Sequence, residues 1–153
     1  MGEWIGASIC FSGRIGEELV PKLIGLIKEH GLKVDFDGDD PDRTNLHENF
    51  GDWQINYGCL DELEAFGVEH SLDYVHWFDR GPEWSSTTVR YVGGERLELI
   101  DGGGSPAITE AELTALGFEE ALNRFALFKI PLPPLEIIPC SGAAREKEGA
   151  EIG

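Results

Sequence analysis

The sequence predicts an α+β fold: a ferredoxin-like (split βαβ) sheet with helices on one face, extended by a β-hairpin and a C-terminal helical segment. Three observations carry this reading. Strand-like alternation and helix-like spacing follow one another twice before residue 79, and a Gly-Gly pair later separates two further alternating segments. The chain has 153 residues, 41% of them hydrophobic, which supplies one core of ordinary size rather than two.

Ile5, Ala7, Ile9 and Phe11 alternate with more polar neighbours, the period of a strand with one face on a core. From Glu17 to His30 the apolar residues Leu19, Val20, Leu23, Ile24 and Ile27 recur at helical spacing, with glutamates in the first turn and Gly31 placed to close it. Pro21 then belongs early in this helix. Leu32, Val34 and Phe36 resume the alternation as a short strand, and Asp37 to Gly51 reads as an exposed connection. Trp53, Ile55 and Tyr57 begin a second unit; Leu60, Leu63 and Phe66 mark one face of a short helix, and Leu72 to Phe78 returns as a strand.

Thr87, Val89 and Tyr91 lead through Gly93-Gly94 to Leu97 and Leu99, a two-residue hairpin because both glycines tolerate positive φ. Thr109 with Glu112 forms a capping-box signature, and helical periodicity runs from there to about Phe128 with a break at Gly117. Pro131, Pro133 and Pro134 end it, and Leu135, Ile137 and Ile138 suit an extended edge segment. Residues 1–140 are therefore expected to form a single α+β domain, with 141–153 as a frayed tail.

Twelve Lys and Arg stand against 29 Asp and Glu, a net charge of −17. Most of it lies in residues 31–79, where 13 acids face only Lys33 and Arg43, a net −11. Such a field repels nucleic acid and anionic membrane surfaces and attracts basic protein surfaces. Direct nucleic-acid binding and a membrane partner are therefore excluded as expectations. No apolar run approaches the roughly 20 residues of a membrane span, and the N-terminal residues carry no basic leader; Gly6 occupies the place where a myristoylation signal needs Ser or Thr. The expected location is cytoplasmic. Cys10, Cys59 and Cys140, odd in number and without C-x-x-C spacing, read as reduced packing thiols.

Motifs that would carry chemistry are missing or out of register. The Asp35-Phe-Asp-Gly-Asp-Asp run resembles the start of a calcium loop, yet counting from Asp35 or from Asp37 misplaces the required glycine. His30, His47, His70 and His76 show no metalloprotease spacing, and Cys10 and Cys59 have no visible base. The Gly-rich stretches lack phosphate-loop or dinucleotide spacing, and Asp61 and Glu64, on one helix face, read as solvent-facing acids rather than a general acid and base. No catalytic residue, metal site or cofactor is expected.

Large aromatics, among them Trp53, Trp77, Tyr57, Tyr74 and Tyr91, concentrate in the middle strands and are expected in the core. Trp84, in a turn-like segment, is expected nearest the surface as an interface anchor. The candidate partner-binding residues are accordingly Asp35, Asp37, Asp39, Asp40, Asp42, Glu48, Asp52 and Trp84. The expected function is an acidic protein-binding module, an inhibitor whose carboxylates occupy a basic nucleic-acid-binding groove of a protein or nucleoprotein. Inhibitors of the anti-restriction or anti-CRISPR type work by this charge mimicry, an analogy of class and charge without a shared motif. Two readings compete with it: a solvated acidic face that serves solubility or salt adaptation, and a small enzyme or ligand-binding domain whose pocket is invisible to linear spacing.

Overall fold

The structure, a computed structural model, describes residues 4–56, 59–79, 86–101 and 106–139. In chain order the elements are β1 (Trp4–Ser12), β2 (Arg14–Gly16), α1 (Val20–Glu29), β3 (Lys33–Val34), β4 (Phe50–Asn56), α2 (Asp61–Glu69), β5 (Asp73–Phe78), β6 (Thr87–Val92), β7 (Glu95–Asp101), β8 (Pro106–Ala107), α3 (Glu110–Leu116), α4 (Phe118–Lys129) and β9 (Glu136–Ile138). Seven strands make one antiparallel sheet in the order β3-β4-β1-β5-β6-β7-β8. Within it β1 crosses through α1 to β3, with β4 between them, and β4 crosses through α2 to β5, with β1 between them. That interleaving is the split βαβ arrangement. The β6–β7 hairpin and β8 extend it.

The core forms where α1 and α2 cover one sheet face. Val20, Leu23 and Ile27 of α1 and Leu63 and Phe66 of α2 are buried against Ala7, Ile9 and Phe11 of β1, Phe50 of β4, Tyr74 of β5 and Val89 of β6. Burying one Leu, Ile or Phe side chain contributes roughly 1.5–3 kcal/mol, so this face dominates the stability of the sheet. Pro21 lies in the first turn of α1, where its missing N–H costs nothing, and a short 3-10 turn at Glu17–Leu19 precedes it.

Local signals place the C-terminal half. Gly93 and Gly94 take φ of 62° and 87° in the two-residue turn between β6 and β7. Thr109 Oγ1 accepts from the Glu112 N–H at 3.2 Å while Glu112 Oε1 accepts from the Thr109 N–H at 3.2 Å, closing the capping box. Gly117, at φ 87°, separates α3 from α4. The end of α4 lies on the other sheet face, because Arg90, cross-strand from Val75, donates to the Leu127 carbonyl at 2.5 Å and to the Ile130 carbonyl.

Three elements differ from the sequence expectation. The strand expected to run to Phe36 stops at Val34, since Asp35 (φ 45°) and Phe36 (φ 73°) turn into left-handed backbone. β4 starts at Phe50 instead of near Trp53, because buried Phe50 pairs with Ile9. The segment around Ile137 is an edge as expected, but its partner is β2, a three-residue strand too short to show a period; the two pair in parallel as a separate ribbon. Tyr57, Trp84, Cys140 and the tail 141–153 lie outside the described residues.

Candidate functional site

The acid-rich connection between β3 and β4 is an ordered loop whose ends are tied together. The Asp35 N–H donates to the Asn49 carbonyl at 2.8 Å, and the Val34 N–H to the Asp39 carbonyl at 2.9 Å, so residues 34–39 close on themselves. Further along, Asp42 Oδ1 accepts from the Thr44 N–H at 2.7 Å and from its hydroxyl at 2.6 Å. Asn45 bridges back, its Nδ2 donating to the Asp40 carbonyl at 2.9 Å and its Oδ1 accepting from the Asp42 N–H at 2.8 Å. Pro41 and Leu46 are buried beneath this network, pinning the loop to the body of the protein.

This tethering leaves the carboxylates outside. Asp35, Asp37, Asp39, Asp40 and Asp42 are exposed, and Glu48 and Asp52 are half-buried. Among the described residues, Lys33 is the one Lys or Arg within ion-pair distance of any of the seven, 3.2 Å from Asp40. Arg43 is turned away to Glu17 at 2.8 Å. The Thr44 hydrogen bonds to Asp42 favour its ionised form and hold its carboxyl below the ordinary range.

Beside the loop is an aromatic ledge that the sequence reading missed. Phe36 stacks on Trp53 with ring centroids 4.3 Å apart, and the edge of Trp77 meets Phe36 at 6.1 Å. The ledge lies on the sheet face opposite α1 and α2, where two glycines make room for it. A Cβ at Gly6 would stand 3.0 Å from the Trp53 ring, and one at Gly51 would stand 2.8 Å from the Phe36 ring. Trp53, expected in the core, is instead 55% exposed. The reason is an irregularity in pairing between Ile5 and Ala7 of β1, where their β4 partners jump from Ile55 to Asp52 and leave both Trp53 and Gln54 outward. Trp77 is half-buried. The signal available in the sequence was glycine inside two strands, which marks a close approach of another group.

An acidic side chain departs from expectation in the opposite direction. Glu64, read as solvent-facing, points under α2, where its Oε2 stands 2.5 Å from Nδ1 of buried His76 and its Oε1 3.7 Å from Arg96. Burial, reinforced by the Glu64 charge, pushes the neighbouring Tyr74 phenol up to about 12. The group is a polar strut inside the core.

A cavity of about 280 Å³ lies across the same open sheet face, lined by Cys10, Ser12, His47, Arg90 and the Leu132–Pro134 segment among others. None of the seven candidate acids lines it. Its nucleophiles are not activated: burial, then Glu48 and Asp35, raise the Cys10 thiol, and the Ser12 hydroxyl donates to the Pro133 carbonyl at 2.6 Å. Among the described residues no three His, Cys, Asp or Glu side chains are grouped to hold a metal ion, and no helix is long and apolar enough to cross a membrane. Comparison with known proteins finds no matching family, no similar curated protein and no similar solved structure.

Proposed function

We propose that this protein is an acidic binding module that occupies a basic, nucleic-acid-binding groove of a partner protein or nucleoprotein, as inhibitors of the anti-restriction or anti-CRISPR type do. One observation carries the reading: the carboxylates of 35–42 are held outside an ordered loop with a single Lys at ion-pair distance among the described residues, and none of them lines the cavity beside Cys10. Acids ordered in this way meet a row of Lys and Arg without first losing loop entropy, which is what a phosphate backbone offers the same groove.

The test is affinity capture from a bacterial lysate over a series of salt washes, with and without nuclease digestion, read by mass spectrometry. Asp35, Asp37, Asp39 and Asp40, all replaced by Asn, give the control protein. The expected result is a nucleic-acid-processing protein whose recovery rises after digestion and is lost with the Asn variant. Equal recovery by the Asn variant at physiological salt overturns charge mimicry.

A further inference from the structure

Among the described residues nothing covers the outer side of the ledge formed by Phe36, Trp53 and Trp77, and its surroundings restrict what would cover it. Phe36 stacks on one face of the Trp53 indole, yet Trp53 remains 55% exposed. Trp4, two residues from Gly6 on β1 and thus on the same sheet face, is 64% exposed and extends the apolar surface. Exposed Asp35 and Asp37 flank Phe36 in the chain, whereas Asp52, paired with buried Ala7, is on the other sheet face, toward Gly31.

An aromatic ledge alone suits three occupants: a nucleobase, a lipid surface or a cationic side chain. The flanking carboxylates discriminate among them. A nucleobase brings its phosphate and a cytoplasmic lipid surface its anionic headgroups, both repelled by Asp35 and Asp37. A second copy of this chain, at −17, brings the same charge. A cation is attracted twice, by the carboxylates and by the negative face of the indole. Of the two cationic side chains, arginine fits better, because its guanidinium is planar, weakly hydrated and able to stack while its N–H groups pair with carboxylates. Two consecutive non-glycine residues with positive φ, Asp35 and Phe36, hold the ledge together; such backbone is kept where the surrounding structure requires it.

We propose that the Phe36–Trp53–Trp77 ledge is an arginine-stacking site, which takes a guanidinium of a basic protein partner while Asp35 and Asp37 pair with it or with its neighbouring cations. The site rests on the charge-mimic reading above and adds to it a preference for arginine over lysine.

The test measures fluorescence anisotropy of a labelled oligoarginine peptide and an oligolysine peptide of equal length at physiological salt, with the wild-type chain, Trp53→Leu, Trp53→Phe and the fourfold Asn variant. Circular dichroism and thermal unfolding confirm that each variant is folded. The wild type is expected to bind oligoarginine about three- to tenfold tighter than oligolysine. Trp53→Leu reduces that ratio while keeping the charge-driven affinity for both peptides, and Trp53→Phe, which retains a ring, keeps part of it. Equal affinity of the wild type for the two peptides, or a ratio unchanged in Trp53→Leu, overturns the stacking site and leaves the charge reading standing. Failure of the wild type to bind either peptide overturns the charge reading, and the site with it.

Discussion

Glu64 and the acids of the 35–49 loop carry the same functional group in opposite settings. Glu64 is enclosed between α2 and the sheet, with His76 at 2.5 Å and Arg96 at 3.7 Å. Asp35, Asp37 and Asp39 stand in solvent, and the hydrogen bonds that order their loop run mainly through backbone atoms. The first carboxylate has been spent on holding the fold together, whereas the others leave their lone pairs free for a partner. A net charge alone does not separate these uses; burial and the number of nearby cations do.

The comparison breaks most visibly at Glu64. Replacing Glu64 by Ala leaves the buried His76 imidazole without its carboxylate, and is expected to cost about 3 kcal/mol in urea unfolding. A cost under about 1 kcal/mol would place Glu64 with the surface acids. The same core pocket predicts an alkaline limit. Tyr74 ionises near the ordinary value of about 10 when unfolded but near 12 when folded. The unfolded chain therefore releases this proton first, and stability falls as pH rises from about 10 to about 12, by about 1.4 kcal/mol per pH unit for this group. Tyr74→Phe flattens that decline, read as unfolding free energy against pH. The smallest effect belongs to the loop: the fourfold Asn variant at 35, 37, 39 and 40 is expected to unfold within about 0.5 kcal/mol of wild type, and added salt should stabilise it less than it stabilises the wild type. A loss of several kcal/mol would show that these acids, too, serve the fold.

What the sequence made legible was local. The Gly93-Gly94 turn, the Thr109–Glu112 cap, the break at Gly117 and Pro21 at a helix start each depend on a few neighbouring residues, and each stands in the structure where the sequence put it. The interleaved order of β1, α1, β3, β4, α2 and β5 was legible because each unit carries its own period. The ledge was not. Its parts come from the 35–49 loop, β4 and β5, and their meeting depends on the left-handed turn at Asp35–Phe36 and the pairing irregularity opposite Gly6, neither of which has a hydrophobic period. Glu64 was misread for a related reason, since helical spacing places it on a face but does not reveal that His76 and Arg96 lie beneath that face.

The parallel ribbon of β2 and β9 bears on the order of events during synthesis. It joins Arg14 to Glu136 and Gly16 to Ile138, near opposite ends of the described chain. A nascent polypeptide can assemble the split βαβ unit once residue 78 has cleared the ribosome, but β2 must wait for β9. Over that interval the Ser12 hydroxyl has no Pro133 carbonyl to meet, and the strip of sheet around Cys10 lacks the Leu132–Pro134 wall. The Leu132–Ile138 stretch acts as a latch, and closing it covers part of the side of the sheet that the early-folding half leaves bare.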